Sequence, residues 1–288
     1  MLIDHLSIIG VGLIGGSLAR ALRKAKFVNR VTGCNRNEDT LKKAIELDVI
    51  DDYSLNIEDA VAGADVVVIG TPLSTTEKIF PQIVASLKSS AVLTDVGSAK
   101  GSVVITAKKI MGDNFSHFVP GHPIAGTEQS GVEASFAELF IDHRVILTPL
   151  DVTDASAHKL ITKMWQVVGA EVINLDVKHH DDVLAATSHL PHMLAYALVD
   201  CLAGMQEREE IFKYAAGGFA DFTRIASSNS EMWHDICFSN RDALLNSLEL
   251  FSAHINEIKG AIESSDSEHL LSIFKRAKKV RDQFTKSR

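Results

Sequence analysis

Leu6-Ser7-Ile8-Ile9-Gly10-Val11-Gly12-Leu13-Ile14-Gly15-Gly16-Ser17-Leu18-Ala19 reads as a short buried strand, a tight glycine turn and the first turns of a helix. Gly10 permits the turn, Gly12 carries no side chain to keep a pyrophosphate from the backbone, and Gly15 lets the helix pack closely on its strand. Together with Leu13 and Ile14 these glycines form the expected diphosphate-binding turn, because free N–H groups at a helix start and the positive end of its dipole suit an anion. A lone G-x-G-x-x-G is a weak signal, since glycine turns also serve purely structural ends. Here it follows a strand and opens an apolar helix, which is the context dinucleotide binding requires. The predicted fold class is α/β, a Rossmann-type dinucleotide-binding domain, with NAD or NADP as cofactor.

The chain has 288 residues, 46% of them hydrophobic, enough for two domains of ordinary size. A formal net charge of −8 and no basic run argue against a nucleic-acid or anionic-membrane surface, while a local basic pocket for a small acidic metabolite remains compatible. Cys34, Cys201 and Cys237 are scattered and odd in number, so neither a disulfide framework nor a zinc ribbon is expected. The first strand starts almost at once, interrupted by Asp4 and His5, and no apolar run approaches a bilayer span. The reading predicts a cytoplasmic chain.

After the glycine turn, a helix through about Ala25 leads to a strand, Arg30 to Cys34, that ends at Asn35-Arg36. A dinucleotide fold reads the adenosine ribose there. This chain has no acidic residue at that place. Asn35 can bond a hydroxyl, and Arg36 can pair with a phosphate, stack over adenine or lie solvated at a strand end, so NAD and NADP both stay open. Asp65 to Ile69 reads as a fully buried parallel strand running into Gly70-Thr71-Pro72, which makes Thr71 and Pro72 candidate cofactor contacts. Ala91 to Asp95 is another such strand, followed by the small-residue loop Val96-Gly97-Ser98-Ala99-Lys100-Gly101. Ser98 can serve there as a donor or acceptor near the nicotinamide, or equally as the N-cap of a helix from Val103 to Met111.

In Gly121-His122-Pro123-Ile124-Ala125-Gly126-Thr127-Glu128, Pro123 pushes His122 into extended geometry and flanking glycines keep the backbone accessible. The expectation is an imidazole presented from a loop, placed to accept a proton. Further strands are expected at Arg144 to Thr148 and Glu171 to Leu175, with a helix from about Ala155 to Val168 between them. The alternation stops near Asp176, so residues 1–176 are read as the dinucleotide-binding domain and 177–288 as an all-helical domain for substrate binding and dimerisation. Its expected helices are Asp181 to Ala203, Glu207 to Ala215, Trp233 to about Glu263 and Glu268 to Arg281, with breaks at Gly217-Gly218 and Asn229-Ser230. Leu194, Leu198, Leu245, Leu248 and Phe251 mark core or subunit interface.

Two clusters in the helical half resist explanation as packing. Ser188-His189-Leu190-Pro191-His192 sets a hydroxyl and two imidazoles within a turn. No third metal ligand has suitable spacing, so no metal is expected. In Gly217-Gly218-Phe219-Ala220-Asp221-Phe222-Thr223-Arg224-Ile225-Ala226, followed by Trp233, Arg224 stands among apolar residues and needs a carboxylate, either Asp221 or a substrate's.

Four segments, Gly10 to Ala19, Asp95 to Gly101, Gly121 to Glu128, and the pair Ser188 to His192 and Asp221 to Trp233, together resemble the prephenate and arogenate dehydrogenase family of tyrosine biosynthesis. The resemblance implies a homodimer and NAD(P)-dependent oxidative decarboxylation of a cyclohexadienol that carries a ring carboxylate. It implies His122 as base or hydrogen-bond acceptor for the 4-hydroxyl, Ser98 holding that hydroxyl and orienting His122, and Arg224 binding the ring carboxylate. Ser188, His192, Asp221 and Trp233 would shape the side-chain end of the pocket, with Glu128 at its entrance. Some family members carry a lysine immediately before Asp-Phe-Thr-Arg, where this chain has Ala220, which leaves prephenate and arogenate both open. Feedback by tyrosine is expected to act at the active site itself. Rival readings are another two-domain dehydrogenase acting on a β-hydroxy acid or an imine, which usually places a lysine or another proton donor on a helix of the second domain, and a redox sensor, which would have no use for His122, Ser98 and Arg224 together.

Overall fold

A computed structural model describes residues 2–127 and 129–286. In chain order its elements begin with β1 (Ile3–Ile9), α1 (Leu13–Lys24), β2 (Val28–Cys34), α2 (Glu38–Glu46), β3 (Asp52–Ser54), α3 (Ile57–Val61), β4 (Val66–Ile69), α4 (Thr76–Ser86), β5 (Val92–Asp95), α5 (Gly101–Met111) and β6 (Phe118–Val119). These strands form one six-stranded sheet in the order β3-β2-β1-β4-β5-β6, every pair parallel. That order reverses direction between β1 and β4, the point at which doubly wound sheets bind ligands beyond their carboxyl ends.

Burial explains why β4 has no polar alternation. Val66 and Val68 enter one apolar cluster with Leu18, Leu22, Met164 and Trp165, while Val67 and Ile69 enter another with Phe80, Ile83 and Phe118. A strand covered on both faces is selected for β-branched residues throughout.

A second sheet follows, made of β7 (Gly121–Pro123), β8 (Arg144–Leu147) and β9 (Glu171–Asn174), with α6 (Ala155–Val167) between the last two. His122 therefore sits on a short strand opposite Ile146, not on a loop, and it is buried. Pro123 tolerates this position because the extended geometry it imposes on its neighbour is strand geometry.

From Asp176 onward the described residues hold only helices: α7 (Val177–Leu184), a π turn at Ala185–His189, α8 (Leu190–Ala203), α9 (Arg208–Lys213), α10 (Gly217–Thr223), a 3-10 turn at Arg224–Ser227, α11 (Ser230–Ser239), α12 (Arg241–Glu263) and α13 (Ser267–Lys286). The π turn lies just ahead of Pro191, whose missing N–H and bulky ring do not fit a regular α-helical turn. Gly217 and Gly218 form the first turn of α10 instead of separating helices. The helix expected from Trp233 to Glu263 is interrupted at Asn240, which closes α11. One compact unit extends to Arg241. A second, from Asp242 on, is a helical pair in which Asp266 caps α13 through the His269 N–H at 3.0 Å and Glu257 meets His269 Nε2 at 2.9 Å.

The glycine turn holds two kinds of glycine. Gly10 has φ +99°, and a Cβ there would lie 2.6 Å from the Gly70 backbone. At Gly12 an added Cβ meets nothing within 4 Å. Gly10→Ala is therefore expected to destabilise the chain by more than about 2 kcal/mol, whereas Gly12→Ala stays within about 0.5 kcal/mol of the parent. Urea unfolding of both variants measures the difference.

Candidate active site

The loops after β1, β4 and β5 converge at the carboxyl edge of the six-stranded sheet. Gly10 backs onto Gly70 and Thr71, and Gly70 lies against Val96. Gly15 touches the Gly10 carbonyl so closely that a Cβ would sit 2.7 Å from it, which draws α1 onto β1. Gly12 occupies the N-cap of α1, and no side chain accepts from the amides at Leu13 and Ile14 that open the helix. Such a start offers its N–H groups to an outside anion. Asn35 accepts the Arg36 N–H on its own side chain at 2.9 Å, and Arg36 is exposed. Thr71 accepts from the Thr75 hydroxyl at 2.9 Å, and Pro72 is exposed ahead of a 3-10 turn at Leu73–Thr75.

A wholly buried ion pair fixes the next loop. Lys100 reaches back to Asp95 Oδ2 and donates to the Gly121 carbonyl at 2.6 Å, while Asp95 accepts the N–H groups of Gly97 at 2.9 Å and Gly121 at 3.2 Å. Ser98 lies between Gly97 and Lys100, and His122 directly follows Gly121, so one pair of charges sets the backbone at both. Ser98 is not the cap of α5; that position falls to Lys100. The capping acceptor comes from far along the chain. Asp181 on α7 accepts the N–H groups of Lys100 and Gly101, each at 2.8 Å, with one carboxylate oxygen apiece. Gly101 is small for this reason, since a Cβ there would lie 2.9 Å from Asp181 Oδ2.

Asp181 Oδ1 also meets His180 Nδ1 at 2.8 Å, and His180 Nε2 meets His122 Nδ1 at 2.9 Å. Asn240 donates to the Asp181 carbonyl at 2.8 Å and to His189 Nδ1 at 3.1 Å. His189 stands edge-on to Trp233, and His192 stacks on the same indole with centroids 3.6 Å apart. His192 Nδ1 donates to the Ser188 carbonyl at 2.8 Å. From His122 to His192 the contacts are thus continuous. Asp235, two residues past Trp233, accepts from the Ser74 N–H at 3.2 Å and from its hydroxyl, which ties α11 to the turn after β4.

Arg224 opens the 3-10 turn after α10 and is exposed, as is Asp221, so the burial cost expected for its guanidinium does not arise here. Its charge is felt at His192. Glu128 lies outside the described residues. His180, Asp181, Lys100 and Asn240 were not singled out from the sequence. Adjacent His-Asp residues on a helix are common, and only the fold brings them to His122. Among the described residues no group of three or more His, Cys, Asp or Glu is arranged to hold a metal ion, and no helix is long and apolar enough to cross a membrane.

Two family models match in succession, the prephenate dehydrogenase nucleotide-binding domain over residues 18–174 and the prephenate dehydrogenase dimerization domain over 176–276. The chain belongs to the prephenate dehydrogenase family. It is 40% identical over 281 residues to the cyclohexadienyl dehydrogenase of Zymomonas mobilis, covering 96% of this chain and 94% of that one. Prephenate dehydrogenase of Aquifex aeolicus, solved with hydroxyphenyl propionate and NAD+, superposes with TM-score 0.92 at 38% identity over 99% of both chains. Synechocystis arogenate dehydrogenase superposes with TM-score 0.81 at 26% identity, covering 97% of this chain and 99% of that one.

The buried histidines sit here in a medium that favours their neutral form. Burial holds His122 well below the ordinary imidazole range, and the neighbouring His180, Lys100 and His189 add to the effect. Burial lowers His180 against the pull of Asp181, and lowers His189 to about 4. Burial opposes ionisation of Asp181, but the hydrogen bonds from His180 and the Lys100 and Gly101 amides outweigh it and leave the carboxyl below its usual value. Below about pH 6.5 the unfolded chain therefore takes up protons that the folded chain refuses. Stability is expected to fall as pH falls from 6.5 towards 4.5, by up to about 1.4 kcal/mol per histidine per pH unit. Asp181 acts in a separate window, its contribution fading only below about pH 4. Urea midpoints measured across this range should drop, with a shallower slope in His189→Phe.

Proposed function

We propose that this chain catalyses NAD(P)-dependent oxidative decarboxylation of prephenate, arogenate or both. The observation that carries the reading is a buried imidazole, His122, held through Nδ1 near the carboxyl edge of the parallel sheet, one residue beyond a backbone locked to the Ser98 loop. The glycine turn fits a dinucleotide: there is room at Gly12 for a pyrophosphate, and the start of α1 has no side-chain cap competing for it. Gly10, Gly12, Leu13, Ile14, Gly15, Asn35, Arg36, Thr71 and Pro72 would hold NAD or NADP. When bound, the nicotinamide supplies the hydride acceptor for the carbinol carbon.

His122 takes the 4-hydroxyl proton on Nε2, the ring nitrogen not engaged by His180. The bond from the ring to its carboxylate breaks, its electron pair enters the ring, carbon dioxide leaves, and the aromatic product's oxygen recovers the proton. Positioned proton transfer of this kind contributes about 10²- to 10⁴-fold. Ser98 holds the same hydroxyl. Arg224 pairs with the ring carboxylate, a charge-assisted contact of about 1.5–3 kcal/mol. Ser188, His192, Asp221, Trp233 and Glu128 enclose the substrate's side chain. With Ala220 in place of a lysine, that end lacks one cation and leaves the choice between a keto acid and an amino acid to the assay.

Both substrates are tested with both cofactors, following reduced nicotinamide and aromatic product. At least one combination is expected to turn over, and none doing so overturns the proposal. His122→Asn should lower kcat by about 10²- to 10⁴-fold with cofactor affinity within two-fold, and Arg224→Ala should raise KM with the fold intact.

We assign residues 1–176 to the cofactor and 177–288 to substrate binding and dimerisation. In support, the helical pair from Asp242 on leaves Leu250, Ile262, Leu271, Phe274 and Val280 each at least half exposed, an apolar surface that a lone chain would leave to water. Light scattering is expected to give twice the 31.3 kDa chain mass, and a monomer at micromolar concentration would count against it.

A further inference from the structure

The reading above needs His122 to present a free lone pair on Nε2, and an imidazole has two neutral tautomers, of which only one does so. We propose that His180 and Asp181 are positioning residues that select this tautomer, the Asp181 carboxylate dictating the proton's place on His180 and His180 dictating it on His122. This inference rests on the proposed function for its catalytic meaning, but the proton arrangement itself follows from the hydrogen-bond geometry around a buried, neutral His180.

The argument runs from the carboxylate outward. Asp181 accepts the amides of Lys100 and Gly101, so it is held as an acceptor on both oxygens. His180 Nδ1, 2.8 Å from Oδ1, must then carry a hydrogen. A neutral His180 with its proton on Nδ1 has a bare Nε2, and the contact at 2.9 Å requires the hydrogen to come from His122 Nδ1. What remains on His122 is Nε2 as an acceptor. The reverse arrangement would place a hydrogen on His180 Nε2 and strand Nδ1 lone pair against carboxylate, two acceptors in a buried space. The titratable groups around the ring are His180 and Asp181 from α7, Lys100 and Asp95 from the α5 and β5 side, and His189 from the π turn. None of the others stands within hydrogen-bond reach of His122 Nδ1, so His180 alone decides it.

The same carboxylate does a second job. By capping α5 it fixes the segment that follows Ser98 to the helix that carries His180. The hydroxyl and the imidazole assigned to one substrate atom are thereby referred to a common point, and their separation does not depend on the stiffness of the Ser98 loop alone.

Nitrogen-15 spectra of histidine-labelled protein read the tautomer directly, with His122→Asn identifying the resonance. The wild type is expected to show His122 protonated at Nδ1 and bare at Nε2. In His180→Leu that signature should be lost and kcat should fall about 100-fold, while KM and cofactor affinity change less than about three-fold. His180→Gln, whose amide can accept from His122 and donate to Asp181, should restore the tautomer and most of kcat. A hydrogen on Nε2 of His122 in the wild type overturns the proposal, as does His180→Leu with kcat within three-fold of the parent. If His180→Leu does not fold, the wild-type spectrum and the glutamine variant still decide. Wild-type protein inactive on both substrates, yet showing the Nδ1 tautomer, would remove the proposed function and leave the proton arrangement standing.

Discussion

The ion pair between Asp95 and Lys100 is the constraint on which the candidate site depends. Both side chains are essentially excluded from water, and the contacts they make beyond each other are to backbone: the Gly97 and Gly121 amides on the carboxylate, the Gly121 carbonyl on the ammonium. Buried pairs of this sort are poor sources of net stability, because desolvation offsets most of their attraction, and breaking one typically costs about 3–5 kcal/mol. Their use is geometric. Here the pair joins the end of β5 to the start of β7, two strands that belong to different sheets, and so sets where Ser98 and His122 stand relative to the parallel sheet.

A second feature is the exclusion of water from around the histidines. His122, His180 and His189 are buried, and each is driven towards its neutral form chiefly by that burial; neighbouring histidines add to it at His122 and His189, and Lys100 adds to it at His180. A neutral imidazole is the form that accepts a proton. The cost is a fold that resists acid less well than one with its histidines in water.

Much of the fold could be read from the residues because the decisive segments are local. The strand, turn and helix around Gly10 follow from glycine spacing, and the buried parallel strands follow from unbroken β-branched runs at Val66–Ile69 and Val92–Asp95. Asn229 and Asp154 cap the helices that follow them through their own side chains. His122 and Ser98 could be singled out because each follows a buried strand at the ligand-binding edge. His180 and Asp181 could not, since their significance lies in partners 58 and 80 residues or more away in the chain. Lys100 stands in a small-residue loop, and nothing local announces that it is wholly buried. The placement of His122 in a strand needed β8, whose pairing is likewise non-local.

The bond from Ser74 to Asp235 has a mechanical meaning. Helix α11 carries Trp233, the indole against which His192 lies flat, and Asp235 stands half a turn further on the same helix. Were that helix to slide or roll, the Ser74 amide and the carboxylate would both lose their partners. The helix that holds Trp233 against His192 is therefore anchored, two residues further on, to the turn that follows a central strand of the parallel sheet, so a load on the indole passes beyond its own helix.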